Sequence, residues 1–127
     1  MARILILDDD KNMRDTLEEC FAILGYETVA VETGQEAMDL LSEGSIFDVA
    51  FFDIDNEKGF GGIETIERMK KNNPILPFPI VVMSGNTTHD AIINPGNYGF
   101  EGSFKKTSMR LQNLQNAVEE ALKKAGA

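Results

Sequence analysis

Residues 3–10 read RILILDDD, an apolar run that stops on three consecutive aspartates. A strand with one wet face alternates polar and apolar side chains, so an unbroken run predicts a strand covered on both faces. The pattern returns twice. Residues 48–53 (DVAFFD) stay apolar up to Asp53, and residues 79–84 (PIVVMS) up to Ser84. Two shorter segments, 26–31 (YETVAV) and 102–105 (GSFK), have the β-branched or aromatic content of further strands.

Helical periodicity fills the intervals. Over 11–24, Met13, Leu17, Cys20, Phe21 and Leu24 recur at helical spacing, and Gly25 is placed to end the helix. Further helices are predicted over 34–42 and over 62–72, the latter stopped by Asn73 and Pro74. Pro95 and Gly96 leave room only for a short helix over 88–94. A closing helix over 108–124 carries Leu111, Leu114, Val118 and Leu122 on one face.

Strands alternating with helices imply a doubly wound α/β domain, a five-stranded parallel (βα)5 sheet with helices on both faces. With no linker, repeat or low-complexity tract, residues 1–127 are expected to form a single domain. Function in such sheets gathers beyond the carboxyl ends of the strands, where the aspartates stand.

Composition narrows the classes. Hydrophobic residues make up 43% and charged residues 26%, the balance of a globular chain rather than a disordered one. The net charge of −9 would repel nucleic acid phosphates, so partners are expected to be proteins. The lone Cys20 cannot pair internally and is read as a small buried side chain. No apolar run approaches a bilayer span, and acids occupy the place of a signal peptide's apolar core, so a cytoplasmic location is expected.

The strand ends carry Asp8 and Asp9, then Asp53, then Ser84, with Lys106 just past the fifth strand. Carboxylates gathered at one edge raise one another's pKa unless a cation neutralises them, and magnesium suits a site of carboxylates, waters and a phosphate. Such a set matches phosphoryl transfer, which is mostly positioning and charge neutralisation. Asp53 would attack in line, while Lys106 and the Ser84 hydroxyl would each hold a phosphoryl oxygen.

In order and placement, LILDDDKNMR, DVAFFDID, VVMSG and GSFKK resemble the response-regulator receiver family of two-component signalling, across essentially the whole chain. The resemblance implies the flavodoxin-like strand order 2-1-3-4-5 and an acidic pair in which Asp9 ligates Mg2+ directly and Asp8 through water. It also implies ligation by Asp53 and the Asp55 backbone carbonyl, with the phosphoryl group coming from a sensor histidine kinase or phosphotransfer protein. Output would pass from the fourth helix, fifth strand and fifth helix to a downstream effector protein. Asp55 and Asn86 flank the expected site and would tune the phosphoryl lifetime by orienting or repelling water. Three features depart from the family pattern. The loop after Asp53 lacks proline and runs one residue longer, with Gly59, Gly61 and Gly62 expected to make it flexible; Thr107 follows Lys106 in place of proline; and Ser103 stands where a switching aromatic is usual.

Plainer readings compete at single positions. Asp10 is best taken as a helix N-cap, His89 as exposed, and Lys106 stands above Lys105 only by its register with Ser84. Two rival functions compete with this reading: a receiver-like interaction module that signals without phosphate, suggested by Ser103 and Thr107, and a phosphatase of the haloacid-dehalogenase type, suggested by Asp53-Ile54-Asp55. Chain order opposes the phosphatase, because the acidic pair precedes the nucleophile here.

Overall fold

The computed structural model describes residues 2–126, and they build a five-stranded parallel sheet in the order β2-β1-β3-β4-β5. The strands are β1 (Arg3–Leu7), β2 (Glu27–Val31), β3 (Val49–Asp53), β4 (Ile80–Ser84) and β5 (Gly102–Lys105). The helices are α1 (Lys11–Ile23), α2 (Gly34–Ser42), α3 (Gly62–Asn72), α4 (Asp90–Ile93) and α5 (Leu111–Ala125). None of the described helices is long and apolar enough to cross a membrane.

Each central strand feeds two cores, because successive side chains of a strand point to opposite faces. Ile4 and Ile6 of β1 pack with Phe51, Met83 and Phe104 beneath Leu17 and Phe21 of α1 and Leu114 and Val118 of α5. Leu5 and Leu7 pack on the other face with Phe52, Ile80 and Val82, against Ala37 of α2, Ile66 and Met69 of α3, and Ile92 of α4. Apolar side chains removed from water this completely contribute about 1.5–3 kcal/mol apiece. The unbroken apolar runs in the sequence therefore reflect burial on both faces.

Helix boundaries follow local chemistry. Asp10 caps α1, its Oδ1 accepting from the amides of Asn12 (2.9 Å) and Met13 (3.4 Å), and Gly25 closes the helix at φ +88°. The fifth helix begins at Leu111 rather than 108, because Lys106–Ser108 form a 3-10 turn and Arg110 is the cap residue. Leu111 is consequently exposed, and the buried face of α5 is Leu114, Val118 and Ala121. Cys20, expected to be buried, is half-buried at the edge of the α1 core. The fourth helix is a single turn, continued by a 3-10 turn over Pro95–Tyr98 in which proline occupies the first position. His89 is not simply exposed. It is half-buried, and its Nδ1 caps α4 by accepting from the amide of Ala91 at 3.0 Å.

Candidate functional site

Register alone brings the acids together. Leu7 of β1 lies level with Phe52 of β3, so the next residues, Asp8 and Asp53, emerge side by side at the carboxyl edge. Asp53 is level with Met83, which sets Ser84 one step beyond, and Ser84 is level with Lys105, which sets Lys106 one step beyond that. Four separate stretches of sequence thus arrive at one corner.

Lys106 completes the corner. Its ammonium stands 2.7 Å from Asp8 Oδ2 and 3.2 Å from Asp53 Oδ1, whereas Lys105 is exposed. Asp8 is wholly buried and Asp53 nearly so. Burial first, then repulsion from Asp8, pushes the Asp53 carboxyl up to about 7, against the lowering influence of Lys106. Burial pulls the Lys106 ammonium down, but Asp8 and Asp53 outweigh it and hold its pKa above the ordinary lysine value.

The corner has room for one more positive charge. Asp8 Oδ1 accepts the amide of Asp10 at 2.9 Å, but the fully buried Asp8 Oδ2 receives no aligned hydrogen bond, leaving the nearby ammonium as its charge partner. One oxygen each from Asp8, Asp9 and Asp53 lies within 4.8 Å of the others, a spacing that a single small cation can span. An all-oxygen donor set of this kind fits a hard divalent ion such as Mg2+.

The remaining predicted residues take distinct places. Asp55 is exposed and borders the acidic cleft with Asp9, Asp10, Asp53, Glu57 and Lys58. Ser84 is fully buried, and its Oγ accepts the Asn86 amide at 2.9 Å, which leaves the hydroxyl proton free to be given elsewhere. Asn86 is exposed and spends its Oδ1 on Thr88, accepting from the amide at 3.1 Å and the hydroxyl at 2.7 Å. Ser103 faces α4, its hydroxyl donating to the Ile92 carbonyl at 2.9 Å. Phe104, next along, faces the opposite core.

The loop after Asp53 is not the flexible tether its glycines suggested. A Cβ on Gly61 would sit 2.3 Å from the Ile54 carbonyl oxygen, and one on Gly62 would sit 2.7 Å from that of Asp53. Both glycines serve close backbone approach, and neither has a positive φ. The loop also reaches back over α2, where Phe60 accepts the Gly34 amide at 3.0 Å while Arg68 covers its ring at 3.9 Å. Sequence reasoning passed over Lys58, which lines the acidic cleft, and over Asn56, Glu32 and Arg14, which are linked to it through hydrogen bonds and ion pairs. Arg14 donates to the Asp8 carbonyl at 2.9 Å, and its place one helical turn past Asp10 was the available signal.

The family model described as the response regulator receiver domain matches residues 4–119. This chain belongs to that family. Receiver domains are the phosphoacceptor modules of two-component systems and not enzymes in the ordinary sense. Among curated proteins, this receiver domain is 37% identical over 76 residues to the uncharacterized transcriptional regulatory protein YrkP of Bacillus subtilis, covering 58% of the chain and 32% of that protein. It is 32% identical over 92 residues to the response regulator SaeR of Staphylococcus epidermidis, covering 72% of the chain and 38% of SaeR. The receiver domain thus spans well under half the length of these relatives. Its fold matches a solved response regulator receiver domain protein from Clostridium thermocellum at a TM-score of 0.84 and 21% identity, covering 99% of this chain and 98% of that one.

Proposed function

We propose that this receiver domain is a phosphoacceptor switch in which Asp53 takes a phosphoryl group from a sensor histidine kinase or phosphotransfer protein. The observation that carries the reading is the convergence on Asp53 of the Lys106 ammonium and the Asp8 and Asp9 carboxylates. A carboxylate oxygen of Asp53 bonds to phosphorus while the phosphorus–nitrogen bond of the donor phosphohistidine breaks in line, its electron pair returning to the imidazole. Lys106 holds one transferred oxygen, and the free Ser84 proton serves another. Asp8, Asp9, Asp53 and the Asp55 carbonyl would hold Mg2+, which when bound neutralises charge on the transferring group.

The whole of residues 1–127 acts as one such unit in the cytoplasm, addressing a downstream effector protein and neither nucleic acid nor membrane. Its acidic surface supports protein partners over phosphate backbones. Phosphorylation biases an existing equilibrium in the segment joining Ser84 to β5. Asp55, which borders the cleft, and Asn86, two residues past Ser84, would tune the phosphoryl lifetime by orienting or repelling attacking water.

A second reading, signalling without phosphate, draws on Ser103, whose hydroxyl ties β5 to α4 where an aromatic would otherwise swing. Beryllofluoride with magnesium, a stand-in for the phosphoryl group, separates the two. Saturable binding lost in Asp53→Asn is expected; no binding to the parent chain leaves only the phosphate-independent module.

A further inference from the structure

We infer that the loop of residues 54–61 is a strap that positions Asp9 for its cation, pinned by Asn56, an inference that rests on the magnesium reading above. Asn56 Nδ2 donates to the Glu32 carbonyl just past β2, at 2.5 Å, while its Oδ1 accepts the amides of Lys58 and Gly59, each at 2.9 Å. The turn so formed aims the Glu57 amide at Asp9 Oδ2, 2.9 Å away. The Glu32 carboxylate continues the chain, pairing with Lys58 at 3.1 Å and with Arg14 at 3.2 Å.

Asp8 and Asp53 are immobilised by burial at strand ends, but Asp9 is only half-buried and needs another constraint. A ligand carboxylate held in place before the metal arrives loses less freedom on binding it, which is why donors behind a ligand typically affect affinity ten- to a hundred-fold. The strap supplies such a donor from the backbone, and Asn56 fixes where that donor sits. Asn56 is therefore a positioning residue that touches no reacting atom.

Charge permits a test by sign. Lys58 lines the acidic cleft, so removing its ammonium would tighten cation binding if only the field mattered, and would weaken it if the strap matters. Asn56→Ala changes no charge at all. Calorimetric titration with MgCl2 is expected to give a dissociation constant raised about tenfold in Asn56→Ala and raised, to a lesser extent, in the exposed variant Lys58→Met. Amide exchange at Glu57 should also quicken in Asn56→Ala in EDTA, before any metal is added. Parent-like magnesium affinity in Asn56→Ala, or tighter binding in Lys58→Met, overturns the strap. An Asp9→Asn control keeps the two readings apart. If the parent takes up Mg2+ and Asp9→Asn does not, an unaltered Asn56→Ala sinks the strap alone; if the parent takes up none, both readings fall.

Discussion

The Lys106 ammonium lies 2.7 Å from Asp8 Oδ2, an oxygen with no exposure to water and no aligned hydrogen bond. The two residues follow different strands, Asp8 after β1 and Lys106 after β5, with β3 and β4 between them in the sheet, so the ion pair joins two strand ends that are not neighbours. It compensates a charge that would otherwise be stranded, since Asp8 cannot reach solvent.

Removing the cation should therefore cost more than removing a surface pair. Lys106→Met is expected to lower unfolding free energy by about 3 kcal/mol at pH 8 in EDTA, the low end for stripping one partner from a buried pair. Added magnesium should restore part of the loss by compensating the same carboxylates. Urea titrations with and without Mg2+ would check this; a change below about 0.5 kcal/mol would mean that water already serves Asp8.

The raised Asp53 pKa fixes the sign of a pH effect. A carboxyl whose folded pKa, about 7, exceeds its unfolded value holds its proton more tightly when folded, so its contribution to stability falls as pH rises from about 4 to 7. The raised Lys106 pKa works in the same direction but only in the alkaline range, where lysine deprotonates. Asp53→Asn should therefore melt several degrees above the parent at pH 8 in EDTA, and the two should converge near pH 4. Melting curves across that range decide it, and parallel profiles would contradict the assigned shift.

Magnesium uptake should be proton-linked for the same reason. Below about pH 7 the metal must displace a proton from Asp53, so affinity should weaken progressively on acidification. Titrations in buffers of different ionisation enthalpy would report the released proton directly; none released at pH 6 would exclude Asp53 as a ligand.

The Ser103 hydroxyl donates to the Ile92 carbonyl at the end of the single-turn α4. Ser103→Ala removes that bond, at a cost of about 1 kcal/mol. Hydrogen exchange should quicken across residues 90–98 and stay unchanged in β1 and β3. Exchange that rises uniformly over the chain would mean that the bond supports global stability rather than α4.

Two glycine substitutions should differ sharply. In Gly61→Ala the new Cβ meets the Ile54 carbonyl oxygen, which belongs to the backbone and cannot swing aside, whereas nothing lies within 4 Å of the corresponding point at Gly85. Gly61→Ala is expected to lose about 1–3 kcal/mol and Gly85→Ala to stay near the parent. Equal melting points for the two would show that the loop after Asp53 yields easily.

The fold was largely legible because its signals are local. The RILIL and VAFF runs declared strands buried on both faces, Asp10 and Gly25 marked the ends of α1, and the acids at strand ends pointed to the working edge. The start of α5 was misplaced because the 3-10 turn of Lys106–Ser108 imitates the first turn of a helix. His89 looked exposed because capping by an imidazole depends on where the α4 amides point.

By itself the sequence determined the strands, the helices between them and the chemical types gathered at the carboxyl edge, since periodicity and strand termini are properties of contiguous residues. Only the tertiary structure decided how closely Lys106 approaches Asp8 and Asp53, that Asp8 is sealed from water, and that the glycine-rich loop is a packed strap tied to Glu32 and Asp9. Those outcomes depend on sheet register and on contacts between residues distant along the chain, and no local pattern encodes how closely two such groups approach.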